Sequence, residues 1–261
     1  MVNEGVVANM LRHFILLLAA GCGACQSGDI DPDLASAGAE FRWYARMAYE
    51  VRDDPCDFAP AVARAGVLAP ERRAMADLES RLSGTPPKLL MDVARADVAY
   101  ARGLRSDRRC DTALASPAET RIGFARRDMN AALERMHALA PTLAAFPFSS
   151  AVSASDGAAF RYLARQVVES ESPRCGGAGP PDAFHTLERM RSEVARFRTD
   201  VSETPYGPHF AMVEADVLYE RSITSDNCIE YDQPITAQQS RAAIAGLMAK
   251  VAQLRQISSR R

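Results

Sequence analysis

The sequence predicts an all-α protein that arose by tandem duplication of a four-helix up-down unit, with one disulfide in each copy. Ala and Arg are abundant while β-branched and aromatic residues are scarce, a composition that favours helices. Apolar residues recur at helical spacing, and no stretch shows a sustained alternation of period two. The third observation is an internal repeat, and it sets the domain organisation.

The repeat begins near the motif Phe-Arg-Trp-Tyr-Ala-Arg at positions 41–46. The motif returns as Phe-Arg-Tyr-Leu-Ala-Arg at 160–165, an offset of 160 − 41 = 119 residues. Residues 35–107 align with 154–226 at this offset without a gap, and roughly a third of the aligned positions are identical. The sequence therefore predicts a first repeat at 39–140, a linker at 141–157 and a second repeat at 158–261.

Each repeat contains four amphipathic segments. Helix one is predicted at 39–51, and helix two at 70–82 and 182–201. Helix three opens at Thr85-Pro86 and Thr204-Pro205, with Gly207-Pro208 delaying the second opening. Helix four opens at the capping boxes of 116–119 and 236–239. These segments predict either one antiparallel bundle per repeat or a single interleaved eight-helix domain.

The N-terminal region contains a targeting signal. Residues 10–13 include Arg and His, residues 14–20 form a short apolar run, and Ala-Ala-Gly-Cys occupies 19–22. This segment resembles a bacterial lipoprotein signal. The resemblance implies a signal peptide at 1–21, a lipid on Cys22, a tether at 22–38 and, because Gly23 rather than Asp follows, the outer membrane. The alternative is a secretory signal cleaved nearby.

The cysteine pattern predicts an oxidising compartment. Cys56 and Cys175 keep the repeat offset, and Cys110 and Cys228 miss it by one residue. The simplest interpretation is two disulfides, Cys56–Cys110 and Cys175–Cys228, in the periplasm. A metal site built from the four sulfurs is disfavoured, because no two of them are closely spaced and no His is adjacent.

One polar constellation falls on apolar helix faces in both repeats. In each repeat an Asp and a Tyr lie on the seam of helix three, and an Arg occupies a matching place on helix one; the residues are Asp97, Tyr100 and Arg46, and Asp216, Tyr219 and Arg165. Because a buried carboxylate needs a partner, we expect Asp97 to pair with Arg46 or Arg42, and Asp216 with Arg165 or Arg161. The tyrosine hydroxyls are candidates to complete the network. Either it is a structural ion pair that fixes helix register, or it is a ligand-binding or catalytic site.

Two further expectations concern single side chains. Trp43 and its equivalent Tyr162 fall off the apolar face, so they form either a packing contact between the repeats or an exposed contact patch. His209, near a predicted helix start, is expected at the surface.

The function classes can be narrowed but not reduced to one. A net charge of −2 argues against nucleic-acid binding, and the sequence has no local cofactor-binding, metal-binding or catalytic motif. Our leading hypothesis is therefore a lipid-anchored helical module that binds or scaffolds an envelope protein partner. The alternative is a periplasmic enzyme or small-ligand receptor with its site between the repeats, and a weaker third is a structural spacer. A concave pocket with convergent polar groups favours the receptor or enzyme.

Overall fold

The computed structural model describes residues 30–53, 68–104, 118–148, 151–171, 181–224 and 237–259. Within these ranges the protein is all-helical and has no strand, which confirms the all-α part of the predicted fold class. None of the helices found there has the length and hydropathy required to cross a membrane. The α-helices are α1 (Pro32–Asp53), α2 (Ala69–Arg81), α3 (Pro86–Leu104), α4 (Ala118–Leu139), α5 (Ala154–Glu171), α6 (Pro181–Ser202), α7 (Gly207–Ile223) and α8 (Ala237–Ser258).

Several predicted features lie outside the described residues. These are the lipidation site and the four disulfide cysteines, with the first residue of each capping box: Cys22, Cys56, Cys110, Cys175, Cys228, Ser116 and Thr236. The disulfides and the lipid anchor therefore stay predictions.

Helix α1 begins earlier than the sequence predicts. It starts at Pro32, where the fixed φ of proline suits the first turn and the carboxylate of Asp33 favours the helix N-terminus. Ile30 and Leu34 pack against the core of the first half. Residues 32–38, assigned to the tether from sequence, thus belong to the folded body.

The openings of α3 and α7 follow the predicted proline positions. α3 begins at Pro86, and the hydroxyl of Thr85 donates to the carbonyl of Leu82 at 2.6 Å instead of accepting from the first turn. α7 begins at Gly207 rather than at Pro205, as the Gly-Pro pair predicts. Proline thus marks both starts within a few residues.

The described parts of the connection between the halves, 141–148 and 151–157, are folded. Residues Thr142–Ala145 form a 3₁₀ turn, and α5 already begins at Ala154. Leu143, Phe146 and Phe148 are buried and belong to the core of the first half. Part of the predicted linker of 141–157 therefore packs into the core of the first half in addition to connecting the halves.

The halves each have a core, and they meet through four central helices. α1 packs on α3 and α4, and α5 packs on α7 and α8. Across the halves, α1 packs on α7 and α3 packs on α5. Met212 of α7 joins the core of the first half. The arrangement is closer to the interleaved eight-helix alternative than to two separate bundles.

Candidate ligand site between the two halves

An ion pair joins α1 of the first half to α7 of the second. Asp216, only 4% exposed, accepts from Nε of Arg42 at 2.9 Å and from its Nη2 at 2.7 Å. Arg46, one turn further along α1, also donates to Asp216 through Nη2. The carbonyl of Met212 accepts from Arg42 at 3.3 Å. Two guanidinium groups therefore satisfy one buried carboxylate.

A second ion pair joins α3 to α5 in the equivalent way. Asp97 accepts from Nε of Arg161 at 2.8 Å and lies 2.6 Å from its Nη2. Asp97 and Asp216 are 216 − 97 = 119 positions apart, and Arg42 and Arg161 are 161 − 42 = 119 apart. The two contacts are thus reciprocal, as in an isologous dimer interface.

The partners differ from those expected within each repeat. Asp97 does lie 3.8 Å from Arg46, but Arg161 of the other half is closer. The expectation for Asp216 is wrong, because its partners come from α1 of the first half. Arg165 instead pairs with Glu169 and Glu220 of its own half. Periodicity identifies the buried face but carries no information about which helix lies opposite.

Electrostatics keep Asp216 and Arg46 ionised. Burial alone would raise the pKa of Asp216, but the charges of Arg42 and Arg46 and their hydrogen bonds bring it below its usual value. Burial likewise acts to lower the pKa of Arg46, and Asp216 and Asp97 raise it above its ordinary value. Asp216 is therefore a fixed anion and not a proton donor near neutral pH.

His209 breaks the symmetry between the halves. It is 2% exposed, which corrects the expected surface position, and its Nδ1 lies 2.7 Å from Nη1 of Arg161. Burial and the charge of Arg161 lower the pKa of His209 to about 3, so the ring is neutral and Nδ1 accepts. The equivalent residue is Leu90, since 209 − 119 = 90, and Nη1 of Arg42 has no hydrogen-bond partner among the described residues.

The aromatic residues near the network pack between the halves. The rings of Trp43 and Tyr219 lie edge to face with centroids 6.5 Å apart, and those of Tyr100 and Tyr162 lie 5.5 Å apart. Both contacts cross from one half to the other and are reciprocal, like the ion pairs. Burial, the charge of Glu40 and nearby tyrosine interactions raise the pKa of Tyr219. The tyrosine rings thus pack across the interface, and among the described contacts the hydroxyls of Tyr100 and Tyr219 do not bind Asp97 or Asp216.

A cavity of about 230 Å³ lies beside this network, between the halves. Its wall combines charged side chains with small apolar ones from α1, α3, α5 and α7. The lining residues are Arg46, Glu50, Asp97, Val98, Ala101, Ala158, Arg161, Tyr162, Arg165, Val213 and Asp216.

One difference between the repeats contributes to the asymmetry of the cavity wall. Ala101 lines the cavity, and the equivalent residue 119 positions later is Glu220, which binds Arg165. Arg165 also binds Glu169 at 2.8 Å, one turn along α5. In the first half Arg46 is engaged by the aspartates, and the carboxylate of Glu50 forms no hydrogen bond or ion pair within the described ranges.

The aspartates of the cavity are paired with arginines. Among the residues that the structure describes, no group of three or more His, Cys, Asp or Glu is arranged to hold a metal ion. The carboxylates of Asp97 and Asp216 are occupied by guanidinium groups, which leaves neither as a general base. Fixed charges around a small apolar-walled space are suited to orienting a polar solute.

Comparisons with known proteins give no family for this chain. No protein-family model, no curated protein and no solved structure matches it.

Proposed function

We propose that this protein is a lipid-anchored receptor of the bacterial envelope, and that it binds a small ligand in the cavity between its two halves. The observation that supports it is the cavity itself, where Arg46, Asp97, Arg161 and Asp216 converge from four helices. Because the crossed ion pairs hold these side chains in place, the site is pre-organised for a polar solute. It corresponds to the small-ligand receptor that the sequence allows as part of the alternative hypothesis.

The protein-binding hypothesis has weaker support. The large apolar side chains that are most exposed lie on four different helices, which gives no single face a clear docking character. They are Leu89, Leu104, Phe124, Tyr162, Leu218 and Ile223. If the cavity binds no ligand, we expect the protein to bind an envelope protein partner instead.

The proposal also includes an outer-membrane location and an origin by duplication. Resemblance of residues 10–22 to a lipoprotein signal supports a lipid on Cys22 and the outer membrane. Repetition at an offset of 119 residues, together with reciprocal contacts between equivalent positions, supports duplication of an ancestral unit. The spacing of Cys56, Cys110, Cys175 and Cys228 supports one disulfide per repeat.

A cavity-filling variant tests the receptor proposal. Ala101→Leu places three additional carbons in the cavity, while Ala99→Leu adds the same bulk to an exposed position on the same helix. The wild-type chain and the A99L variant are expected to retain a compound from a low-molecular-mass extract of bacterial envelopes, identified by mass spectrometry. The A101L variant should retain none while keeping its helical circular dichroism. Retention of nothing by the wild type, with crosslinking of a protein from native envelopes, would establish the scaffolding module instead.

The anchor and the disulfides have their own tests. Cys22→Ser should move the protein from the membrane fraction to the soluble periplasmic fraction of a bacterial host with an outer membrane. Thiol labelling of the unfolded, non-reduced protein should leave Cys56, Cys110, Cys175 and Cys228 unmodified. Labelling of these four without reductant would rule out the disulfides.

A further inference from the structure

The deep side of the cavity carries an excess of positive charge. Arg46 and Arg161, which line the cavity, and Arg42, which does not, supply three guanidinium groups, and Asp97 and Asp216 supply two carboxylates, so the network has a net charge of 3 − 2 = +1. The side chains of Arg42 and Asp216 are 1% and 3% exposed, which leaves little water to screen the excess. The charge of Glu50 acts on Arg46 through space, but no carboxylate contact offsets the third guanidinium, so an anionic group of a ligand is favoured there.

Arg46 has donors to offer such a group. Its contacts with both aspartates are made by Nη2, and its Nε and Nη1 form no hydrogen bond with a described residue. The residue lines the cavity, and its side chain is 17% exposed. A carboxylate or phosphate can therefore accept from Arg46 without displacing either aspartate.

The outer side of the cavity carries the opposite charge. Glu50 lines the cavity and is exposed, one helical turn beyond Arg46. Its equivalent, Glu169, is bonded to Arg165, but Glu50 has no such partner within the described ranges because Arg46 is turned toward the aspartates. A cationic group of a ligand is favoured at this position.

On the basis of the proposed receptor function, we infer that the ligand is a small zwitterion of the amino-acid type. Its acid group lies toward Arg46 and Arg161, its ammonium group lies toward Glu50, and its carbon chain contacts Val98 and Ala101. A cavity of about 230 Å³ has the volume of roughly eight water molecules, which is enough for a compact amino acid. Neither the positive charge at the deep side nor the negative charge of Glu50 selects a zwitterion alone. The separation of the two charges across the cavity does.

Three matched probes test the inference by titration calorimetry on the full chain. 4-Aminobutyrate carries both charges, butyrate lacks the ammonium group, and propylamine lacks the carboxylate. We expect 4-aminobutyrate to bind about tenfold more tightly than butyrate, because it adds one charge-assisted contact, and propylamine to bind more weakly still. Glu50→Gln should remove the tenfold advantage and leave butyrate binding unchanged. Glu134→Gln, at an exposed position on α4, should change neither affinity.

The outcomes separate this inference from the receptor proposal. Equal affinity for butyrate and 4-aminobutyrate, with no effect of Glu50→Gln, overturns the zwitterion but keeps an anion receptor if Ala101→Leu abolishes binding. Tightest binding of propylamine overturns the inferred charge arrangement. If none of the three probes binds at the highest concentration that stays soluble, the inferred zwitterion is overturned. The extract experiment then tests the receptor proposal independently.

Discussion

Arg42 donates through Nη2 to Asp216 over 2.7 Å, across 174 positions of sequence. The contact joins the first helix of one half to a central helix of the other, and Arg161 and Asp97 repeat it in the opposite direction. Interfaces between duplicated units can be held together by apolar surface alone. Here the centre of the interface is ionic, so its stability depends on charges being paired.

Asp216→Asn should therefore destabilise the fold strongly. The substitution leaves buried Arg42 with no anion and Arg46 with only the more distant Asp97, and breaking such a pair costs about 3–5 kcal/mol. Urea unfolding followed by circular dichroism measures the loss. Asp92→Asn removes an exposed carboxylate that contacts Lys88 on the surface of α3, and should cost about 0.5 kcal/mol or less. A cost for Asp216→Asn no larger than that of the control would show that the pair is dispensable.

Gly38→Ala and Gly157→Ala should lower stability although both residues lie in helices. A Cβ at Gly38 would lie 2.7 Å from Cε2 of buried Phe146, and one at Gly157 would lie 2.9 Å from Nη1 of Arg161. Crowding of this kind costs about 1–3 kcal/mol, more than the gain of about 1 kcal/mol in helix propensity.

Gly246→Ala is the matched control for the glycine pair. A Cβ added at this position of α8 would meet no heavy atom of a described residue within 4 Å, so the substitution should stabilise the protein by about 0.5–1 kcal/mol. Thermal unfolding of the three variants gives the comparison. A rise in Tm for Gly38→Ala or Gly157→Ala would show that the neighbouring side chains yield at no cost.

His209 should make the protein sensitive to mild acid. Its pKa of about 3 in the folded state is below the ordinary 6.5, so the unfolded chain binds the proton more readily. Stability is unaffected above about pH 6.5 and falls by about 1.4 kcal/mol per pH unit between roughly pH 6 and 3. The lowered pKa of Asp216 adds to the loss only below about pH 4.

His209→Gln separates the imidazole from other acid effects. The amide oxygen of Gln is able to accept from Arg161 but does not titrate in this range. Free energies of unfolding measured at about pH 6.5, 5.5 and 4.5 should therefore fall for the wild type and change by less than half as much for the variant. Equal slopes would assign the acid sensitivity to other groups.

The two halves should unfold together. Trp43, the single tryptophan, packs on Tyr219 of the other half, so its fluorescence reports separation of the halves, whereas circular dichroism reports loss of helix. Because the ionic network and the aromatic contacts are shared, the two signals should give one coincident transition in urea. A fluorescence change at lower urea than the loss of helix would mean that the halves separate before they unfold.

The sequence predicts the helices better than it predicts their neighbours. Helical periodicity is a local property, so it identifies the apolar faces of α1, α3, α5 and α7 and places Asp97 and Asp216 on them. Which face meets which depends on the docking of the halves, and the predicted partners of Asp216 therefore lie in the wrong half. The burial of His209 follows from Phe148 and Arg161, which lie 61 and 48 positions away.

The sequence predicts a site between the repeats in only one of its several functional hypotheses. Its wall depends on Ala101 standing where Glu220 stands in the other half, a difference that an alignment of the repeats contains but does not interpret. Only the contact of Glu220 with Arg165 shows that the Glu220 position is occupied by a paired side chain, whereas Ala101 leaves space in the cavity.

The position of the cavity also sets a stoichiometry. The equivalent residues Arg46 and Arg165, and Asp97 and Asp216, line the same cavity, so both halves contribute to one recess. Saturation of that recess is expected at a single molecule of ligand per chain, with a hyperbolic and not a sigmoidal isotherm. A receptor built from two copies of one unit would thus bind its ligand without cooperativity.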